Sequence, residues 1–275
     1  MTSTMTVSAI TPTIGAEIGN VDLRRATGED IAAIRAALLE HKVVFFRDQI
    51  LSQEEHIAFA RQFGDLEIHP ATPKSQANPE VLHIAHGPDS KGKENFWHSD
   101  VTWRERPSLG SILKAVEVPA VGGDTLFANM VVAYELLPDS VREMITGRVA
   151  VHDIARVFAD RLNKSAEELR ELYPPVEHPI VRTHPETGEP VLYVNTAFTS
   201  HIKDMDEGQS ARLLRSLYRT AANPEIQCRF RWKKGSLAFW DNRASQHFAS
   251  SDYFPQVRRM ERVTIAGDRP FWRSA

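Results

Sequence analysis

The sequence predicts a mostly β fold with flanking helices, built on a double-stranded β-helix (jelly-roll) core. From residue 108 onward, short segments rich in β-branched and aromatic residues are separated by Pro and Gly, which is typical of a sandwich or barrel. Helical spacing of apolar residues occurs mainly at the start of the chain, so we expect helices to cover the outside. No repeat or long linker interrupts the pattern, which predicts one domain over residues 1–275.

The first sixty residues contain two helical segments separated by a strand. Residues 29–41 (EDIAAIRAALLEH) place apolar side chains at helical spacing, and Thr27 precedes them as an N-cap. Residues 42–46 (KVVFF) form a β-branched and aromatic run that predicts a buried strand. Residues 52–63 (SQEEHIAFARQF) open with the Ser-x-x-Glu spacing of a capping box and end before a glycine, which predicts the second helix.

The remaining elements are short strands with two helical interruptions. Residues 133–146 and 207–221 have helical spacing, and residues 185–190 (PETGEP) predict a hairpin turn. The strand-like segments are SILKAVEVP, GDTLFAN, PVLYVN, IQCRFRW, GSLAFWD and RRMERVTIAG.

Composition excludes several classes of protein. The net charge of −3 and the absence of a basic tract argue against nucleic-acid binding. A single cysteine rules out an intramolecular disulfide and a cysteine-based zinc site, and it suits a reducing, cytoplasmic setting. We expect no signal peptide and no membrane span, because no apolar run approaches the required ~20 residues.

The sharpest local motif is WHSDVT at residues 97–102. In an extended segment, residues i and i+2 face the same side, so His98 and Asp100 can reach one ion from a single strand end. On its own, this triplet is also typical of a surface histidine beside a turn aspartate.

A second motif, WDNRASQH, ends at His247 after a strand-like segment. Another histidine added to a His-x-Asp pair completes a 2-His-1-carboxylate triad, which leaves coordination positions open on Fe(II). Arg258 and Arg262 follow, and an arginine one strand further on can point into the same barrel and bind a carboxylate through its planar fork. Alone, both arginines would be interpreted as solvated charges.

A third motif, GGDTL, combines two turn glycines with Thr125 at the start of a strand. A hydroxyl group beside an arginine suits one end of a dicarboxylate. In isolation, an ordinary hairpin turn explains this motif equally well.

These motifs together resemble the TauD/TfdA family of Fe(II)/2-oxoglutarate-dependent dioxygenases, and especially its taurine dioxygenase branch. The resemblance extends from about residue 14 to residue 272 and implies a jelly-roll enzyme. Such an enzyme hydroxylates a C–H bond of a small, anionic organic substrate and releases succinate and CO2. The blocks that carry the resemblance occur in the family's order and spacing: HKVVFFRDQ, WHSDVTW, GGDTLFAN, HPIVRTHPETGEP, WDNRASQH and RVTIAGDRPF.

The resemblance also implies the cofactors and the residues that hold them. His98, Asp100 and His247 match the Fe(II) ligands of the family. Thr125 and Arg258 match the pair that binds the distal carboxylate of 2-oxoglutarate, and O2 is the remaining reactant. Relatives form dimers or tetramers, so we expect a homo-oligomer.

The substrate pocket matches the taurine pattern only in part. Arg262 and His69 match residues that hold the sulfonate, and Phe158 and Phe198 match aromatic residues of the pocket. The chain departs from the pattern at three polar positions, which carry Thr72, Glu94 and Val157. Because the loss of polar contacts disfavours taurine itself, a longer sulfonate, a sulfate ester or a carboxylate fits this pocket better.

Three alternatives remain open from the sequence. The first is an oxygenase of the same type that acts on a larger natural-product intermediate. The second is a non-catalytic, metal-binding jelly-roll protein, which would not need Thr125 and Arg258 in register. The third is a zinc hydrolase, although hydrolysis has no use for a 2-oxoglutarate site and no general base is evident.

Overall fold

The computed structural model describes residues 5–69, 72–73 and 75–273 and has a mostly β architecture with helices around it. Two short 3₁₀ helices, Leu23–Arg25 and Pro224–Ile226, accompany the longer elements. The helices are α1 (Gly28–His41), α2 (Gln53–Ala60), α3 (Met130–Glu135), α4 (Asp139–Ile145), α5 (Ala155–Leu162), α6 (Ala166–Leu172) and α7 (Glu207–Thr220). The strands are β1 (Thr6–Ala9), β2 (Ala16–Gly19), β3 (Val43–Phe46), β4 (Leu66–Glu67), β5 (Val81–His86), β6 (Gly110–Glu117), β7 (Thr125–Asn129), β8 (Val149–His152), β9 (Val176–Pro179), β10 (Val181–Thr183), β11 (Pro190–Leu192), β12 (Thr199–Ile202), β13 (Gln227–Phe230), β14 (Leu237–Asp241), β15 (Ser245–Ala249) and β16 (Arg258–Ile265).

One large sheet and a smaller sheet form the jelly-roll core. The large sheet runs in the order β1-β2-β3-β14-β6-β16-β4, and β5 also pairs with β16. The smaller sheet has the order β13-β7-β15. Two further sheets, β12-β8-β9 and the hairpin β10-β11, belong to the part of the chain that carries helices α3 to α7.

The alternation of side chains along β14 explains how the large sheet buries both faces. Leu237 and Phe239 belong to the apolar cluster that includes residues of α1 and α2. Ala238 and Trp240 belong to the cluster between the two sheets, where they join Phe127 of β7. Successive residues of a strand face opposite sides, so one strand contributes to both cores. Full burial of a side chain such as Phe239 contributes roughly 1.5–3 kcal/mol.

Most sequence-predicted elements are confirmed, with three differences. Thr27 and Ser52 form capping boxes at the starts of α1 and α2, as predicted, although α2 ends at Ala60 and not at residue 63. The single helix predicted over residues 133–146 is wrong, because the segment before Pro138 forms α3 and the segment after it forms α4. Helices α5 and α6 were not predicted. No helix of the described residues is long and apolar enough to cross a membrane.

Candidate active site

Three buried side chains converge at one end of the space between the two sheets. His98 and His247 form an isolated antiparallel bridge, in which each backbone N–H donates to the other residue's carbonyl oxygen, at 3.1 and 2.8 Å. One potential ligand atom from each of His98, Asp100 and His247 lies within 4.8 Å of the other two. The sequence-predicted triad is therefore brought together, and two imidazole groups and one carboxylate could hold a divalent metal.

The segment that carries Asp100 is a turn and not the regular strand end that the sequence predicted. Asn242 holds this turn from both sides: its Oδ1 accepts the Asp100 N–H at 2.6 Å, and its Nδ2 donates to the Asp100 carbonyl oxygen at 2.9 Å. The next residue, Val101, has a φ of +49°, which is an unfavourable conformation for a β-branched residue. The surrounding hydrogen bonds therefore hold strained backbone directly beside the carboxylate.

The electrostatics of the triad suit metal binding. Burial lowers the pKa of His98 and lowers that of His247 to about 3, so both imidazole groups are neutral at physiological pH. Burial raises the pKa of Asp100, but the positive charge of Arg262 outweighs this effect and the pKa is lowered overall. The His98 Nδ1 donates to the Phe96 carbonyl oxygen at 2.9 Å, which leaves Nε2 for the metal.

Thr125 and Arg258 line a cavity of about 60 Å³ that also touches His98 and His247. Arg258 is almost fully buried, and its Nε donates to the Gly123 carbonyl oxygen at 3.2 Å. The glycine at position 123 has a φ of +71°, and a Cβ there would lie 3.2 Å from the Arg258 Cδ. This glycine therefore allows the turn to pack closely against the guanidinium group.

The cavity offers buried hydrogen-bond donors that suit a carboxylate. The Arg258 Nη2 is buried and has no hydrogen-bond partner among the described residues, so a buried donor is available to an anion. The Thr125 Oγ1 accepts a hydrogen bond from the Trp232 Nε1 at 2.9 Å, and its own proton remains available to a second acceptor. Both groups line the cavity that also touches His98 and His247.

A second cavity of about 160 Å³ also borders the triad, lined by His98, Asp100, His69, Arg262, Val157, Phe158 and Phe198 among others. The Arg262 Nη1 donates to the Asp100 Oδ1 at 2.9 Å, while its Nε is buried without a hydrogen-bond partner. The rings of Phe158 and Phe198 are nearly parallel, with centroids 6.4 Å apart. Burial, followed by the charges of Arg262 and Arg104, lowers the pKa of His69 to about 4, so His69 is neutral at physiological pH.

Of the two remaining pocket residues that the sequence predicted, Glu94 lines the cavities and Thr72 does not. Glu94 lines both cavities, and its Oε1 accepts a hydrogen bond from the Arg161 Nη1 at 3.1 Å, so its charge is paired. Thr72 lies in a turn where its backbone N–H donates to the His69 carbonyl oxygen at 2.9 Å. Its side chain is buried, but it is not among the described residues that line either cavity.

The comparisons with known proteins decide the family. The model of the taurine catabolism dioxygenase TauD, TfdA family matches residues 6–264. The chain belongs to the TauD/TfdA family. It is 38% identical over 270 residues to an alpha-ketoglutarate-dependent sulfate ester dioxygenase of Pseudomonas putida, with 94% of this chain and 88% of that protein covered.

Solved structures agree with this assignment. A taurine dioxygenase from Burkholderia xenovorans has a TM-score of 0.85 at 39% identity, covering 98% of this chain and 91% of that one. AAD-2 in complex with Mn(II) and N-oxalylglycine has a TM-score of 0.84 at 28% identity, covering 98% and 99%. As a TauD/TfdA protein, the chain is an oxidoreductase that uses Fe(II), 2-oxoglutarate and O2. The non-catalytic binder and the zinc hydrolase are thereby superseded.

Sequence reasoning missed several residues that support this TauD/TfdA site. Trp232, Asn242 and Arg161 contact Thr125, Asp100 and Glu94, respectively. His152 and His178 are also buried, and they form hydrogen bonds with the side chain and the backbone carbonyl of Thr102, respectively. Only Asn242 carried a local signal, because it lies within the WDNRASQH motif.

Proposed function

We propose that this enzyme hydroxylates the carbon next to the oxygen of an organic sulfate ester. Hydroxylation there gives a hemiacetal sulfate that breaks down to an aldehyde and inorganic sulfate, while 2-oxoglutarate and O2 yield succinate and CO2. The single observation that carries the proposal is the pairing of the His98–Asp100–His247 triad with the buried, unpartnered donor of Arg258. The sulfate ester dioxygenase activity of the Pseudomonas putida relative supports this substrate class.

In this proposal, His98, Asp100 and His247 hold Fe(II). A triad of this kind leaves coordination positions open for the oxidation chemistry that iron and O2 supply. Asn242 fixes the backbone of Asp100 and so orients the carboxylate. The buried surroundings keep both imidazole groups neutral and their lone pairs available.

Arg258 and Thr125 bind the distal carboxylate of 2-oxoglutarate. The guanidinium group offers a charged, planar donor in a buried site, where an arginine–carboxylate pair is strong. Trp232 orients Thr125 by donating to its Oγ1, so that the hydroxyl proton can point to the same carboxylate. The chain thereby fixes the end of 2-oxoglutarate that lies far from the triad.

Arg262 and His69 bind the anionic head of the substrate. The unpartnered Nε of Arg262 can donate to a sulfate oxygen, while its Nη1 contacts Asp100. Phe158 and Phe198 surround the carbon that reacts and exclude water from it. Glu94 is paired with Arg161, so it leaves little net negative charge against an anion, and Thr72 supports the turn that carries His69.

We also propose that residues 1–275 form one dioxygenase domain that is cytoplasmic and works as a homo-oligomer, a dimer or a tetramer. Strands β2 and β16 lie in the same sheet, which supports a single domain. The lone cysteine, Cys228, is buried and suits a reducing compartment. Light scattering coupled to size-exclusion chromatography measures the oligomeric state, and a monomer at micromolar concentration would contradict this part of the proposal.

The test of the proposed function is spectroscopic and chemical. We expect Fe(II) and 2-oxoglutarate, added anaerobically, to give a weak visible charge-transfer band that alkyl sulfates shift. After O2 is admitted, inorganic sulfate and succinate should appear in equal amounts. A band that only sulfonates or carboxylates shift would replace the substrate class, and a band that only bulky metabolites shift would favour a natural-product oxygenase. The absence of any band would contradict the assignment of the site.

A further inference from the structure

The second cavity, lined by His69 and Arg262, is called the substrate cavity from here on. A third cavity, of about 150 Å³, lies beside it between α5 and α6. We call it the α5–α6 pocket. It shares His69, Trp103 and Phe158 with the substrate cavity, so the two spaces meet at these three side chains. The α5–α6 pocket is therefore adjacent to the place where the substrate's head would bind.

The lining of the α5–α6 pocket is almost wholly apolar. Beyond the shared residues, its wall consists of Ile154, Leu162, Leu169, Leu172 and Tyr173, with Lys164 as its one further charged residue. Leu162 and Leu172 are 47% and 59% exposed, respectively, and both border this one space. An apolar ligand in the pocket would remove both side chains from water, whereas a polar ligand would find few hydrogen-bond partners.

We propose that the α5–α6 pocket binds the alkyl tail of the substrate and sets the preferred chain length. This inference rests on the proposed function, because it places the anionic head at Arg262 and His69. The tail then passes Phe158 and Trp103 and ends among the leucines of α5 and α6. A cavity of about 150 Å³ lined by apolar side chains can hold a ring of the size of benzene, so we expect a tail of roughly six carbons beyond the reacting one to fill it.

The consequence is a graded dependence of affinity on chain length. Each methylene group that leaves water for an apolar site increases affinity by roughly fourfold. The dissociation constant should fall by this factor per carbon while the tail extends into the pocket. It should then level off once the pocket is full.

The experiment measures binding without turnover. The enzyme loaded with Mn(II) and N-oxalylglycine is titrated by calorimetry with butyl, hexyl, octyl and decyl sulfate, and with the carboxylates of matching chain length. The variant Leu162→Glu places a charge in the wall of the pocket. The control Leu136→Glu makes the same change at a leucine that is 56% exposed and lies outside the pocket.

We expect Leu162→Glu to abolish the chain-length dependence while the affinity for butyl sulfate changes less than threefold, and Leu136→Glu to keep the wild-type dependence. If Leu162→Glu weakened the binding of all chain lengths equally, or left the dependence of affinity on chain length unchanged, the tail pocket would be overturned. A flat wild-type series would also overturn it and leave the proposed function standing. If the affinity for carboxylates rose with chain length while sulfates did not bind at all, the tail pocket would stand and the sulfate ester function would be overturned. If neither series bound, both proposals would be overturned.

Discussion

Replacing Arg258 by glutamine tests the proposed 2-oxoglutarate site most directly. Arg258 is 5% exposed and its guanidinium group has an unpartnered Nη2, so its full charge is available to a carboxylate. A charge-assisted hydrogen bond contributes about 1.5–3 kcal/mol, and a bidentate pair contributes two of them. Glutamine keeps one neutral donor, so we expect a net loss of about 3 kcal/mol. This corresponds to a roughly 150-fold weaker affinity for 2-oxoglutarate.

The assay is an anaerobic titration of the Fe(II) enzyme with 2-oxoglutarate, followed through the visible band, which requires no knowledge of the substrate. Arg259→Gln is the matched control, because the Arg259 side chain is 61% exposed and pairs with Glu117. The midpoint of thermal unfolding of Arg258→Gln without ligands should not fall, since the variant removes a buried charge that lacks a paired carboxylate. A 2-oxoglutarate affinity within threefold of wild type, or a parallel loss in the Arg259 variant, would refute the reasoning.

Four further outcomes are expected. Asp100→Ala should abolish Fe(II) binding measured by equilibrium dialysis, and continued succinate formation would disprove the triad. Trp232→Phe removes a neutral hydrogen bond of about 1 kcal/mol and should weaken 2-oxoglutarate binding roughly fivefold in the same titration. Asn242→Ala should weaken Fe(II) binding about 10–100-fold by releasing the backbone of Asp100, with an unchanged metal affinity as the contrary result. Burial lowers the pKa of His56 to about 3. Below about pH 6.5, His56 therefore takes up a proton in the unfolded state but not in the folded state, which favours unfolding. Stability should therefore fall by about 2 kcal/mol from this group between pH 7 and 5, and His56→Leu should flatten that decline in denaturant titrations.

The residues of the reaction site could be predicted because their signals are local. His98 and Asp100 share one short motif, and the WDNRASQH and GGDTL motifs place His247 and Thr125 next to strands. In a jelly roll, strand pairing brings such motifs together, and here the bridge between His98 and His247 does so directly. The alternation along β16 then places Arg258 and Arg262, four residues apart, on the same face.

The substrate side could not be predicted to the same extent. Helices α5 and α6 span only 8 and 7 residues, whereas α1 spans 14, so each offers too few turns for the spacing of apolar residues to identify a helix. The capping box formed by Ser165 and Glu168 at the start of α6 was a local signal that went unrecognised. The positions of both helices depend on tertiary contacts, such as the pairing of Arg161 with Glu94. Glu94 was recognised as a departure from the taurine pattern, but the arginine that balances its charge lies 67 residues away, beyond the range of local signals.

The metal and 2-oxoglutarate half of the site was more predictable than the substrate half because the two halves have different physical requirements. The metal and 2-oxoglutarate require fixed distances between charged groups, and paired strands with buried side chains provide such rigidity. A tail-binding pocket needs only apolar surface of suitable volume, which two short helices with exposed leucines can supply and which many sequences satisfy. Substitutions in α5 and α6 should therefore alter chain-length preference while leaving 2-oxoglutarate binding intact, whereas the residues of the triad should tolerate almost no change. If Leu162→Glu weakened 2-oxoglutarate binding as much as it weakened octyl sulfate binding, this separation of the two halves would be wrong.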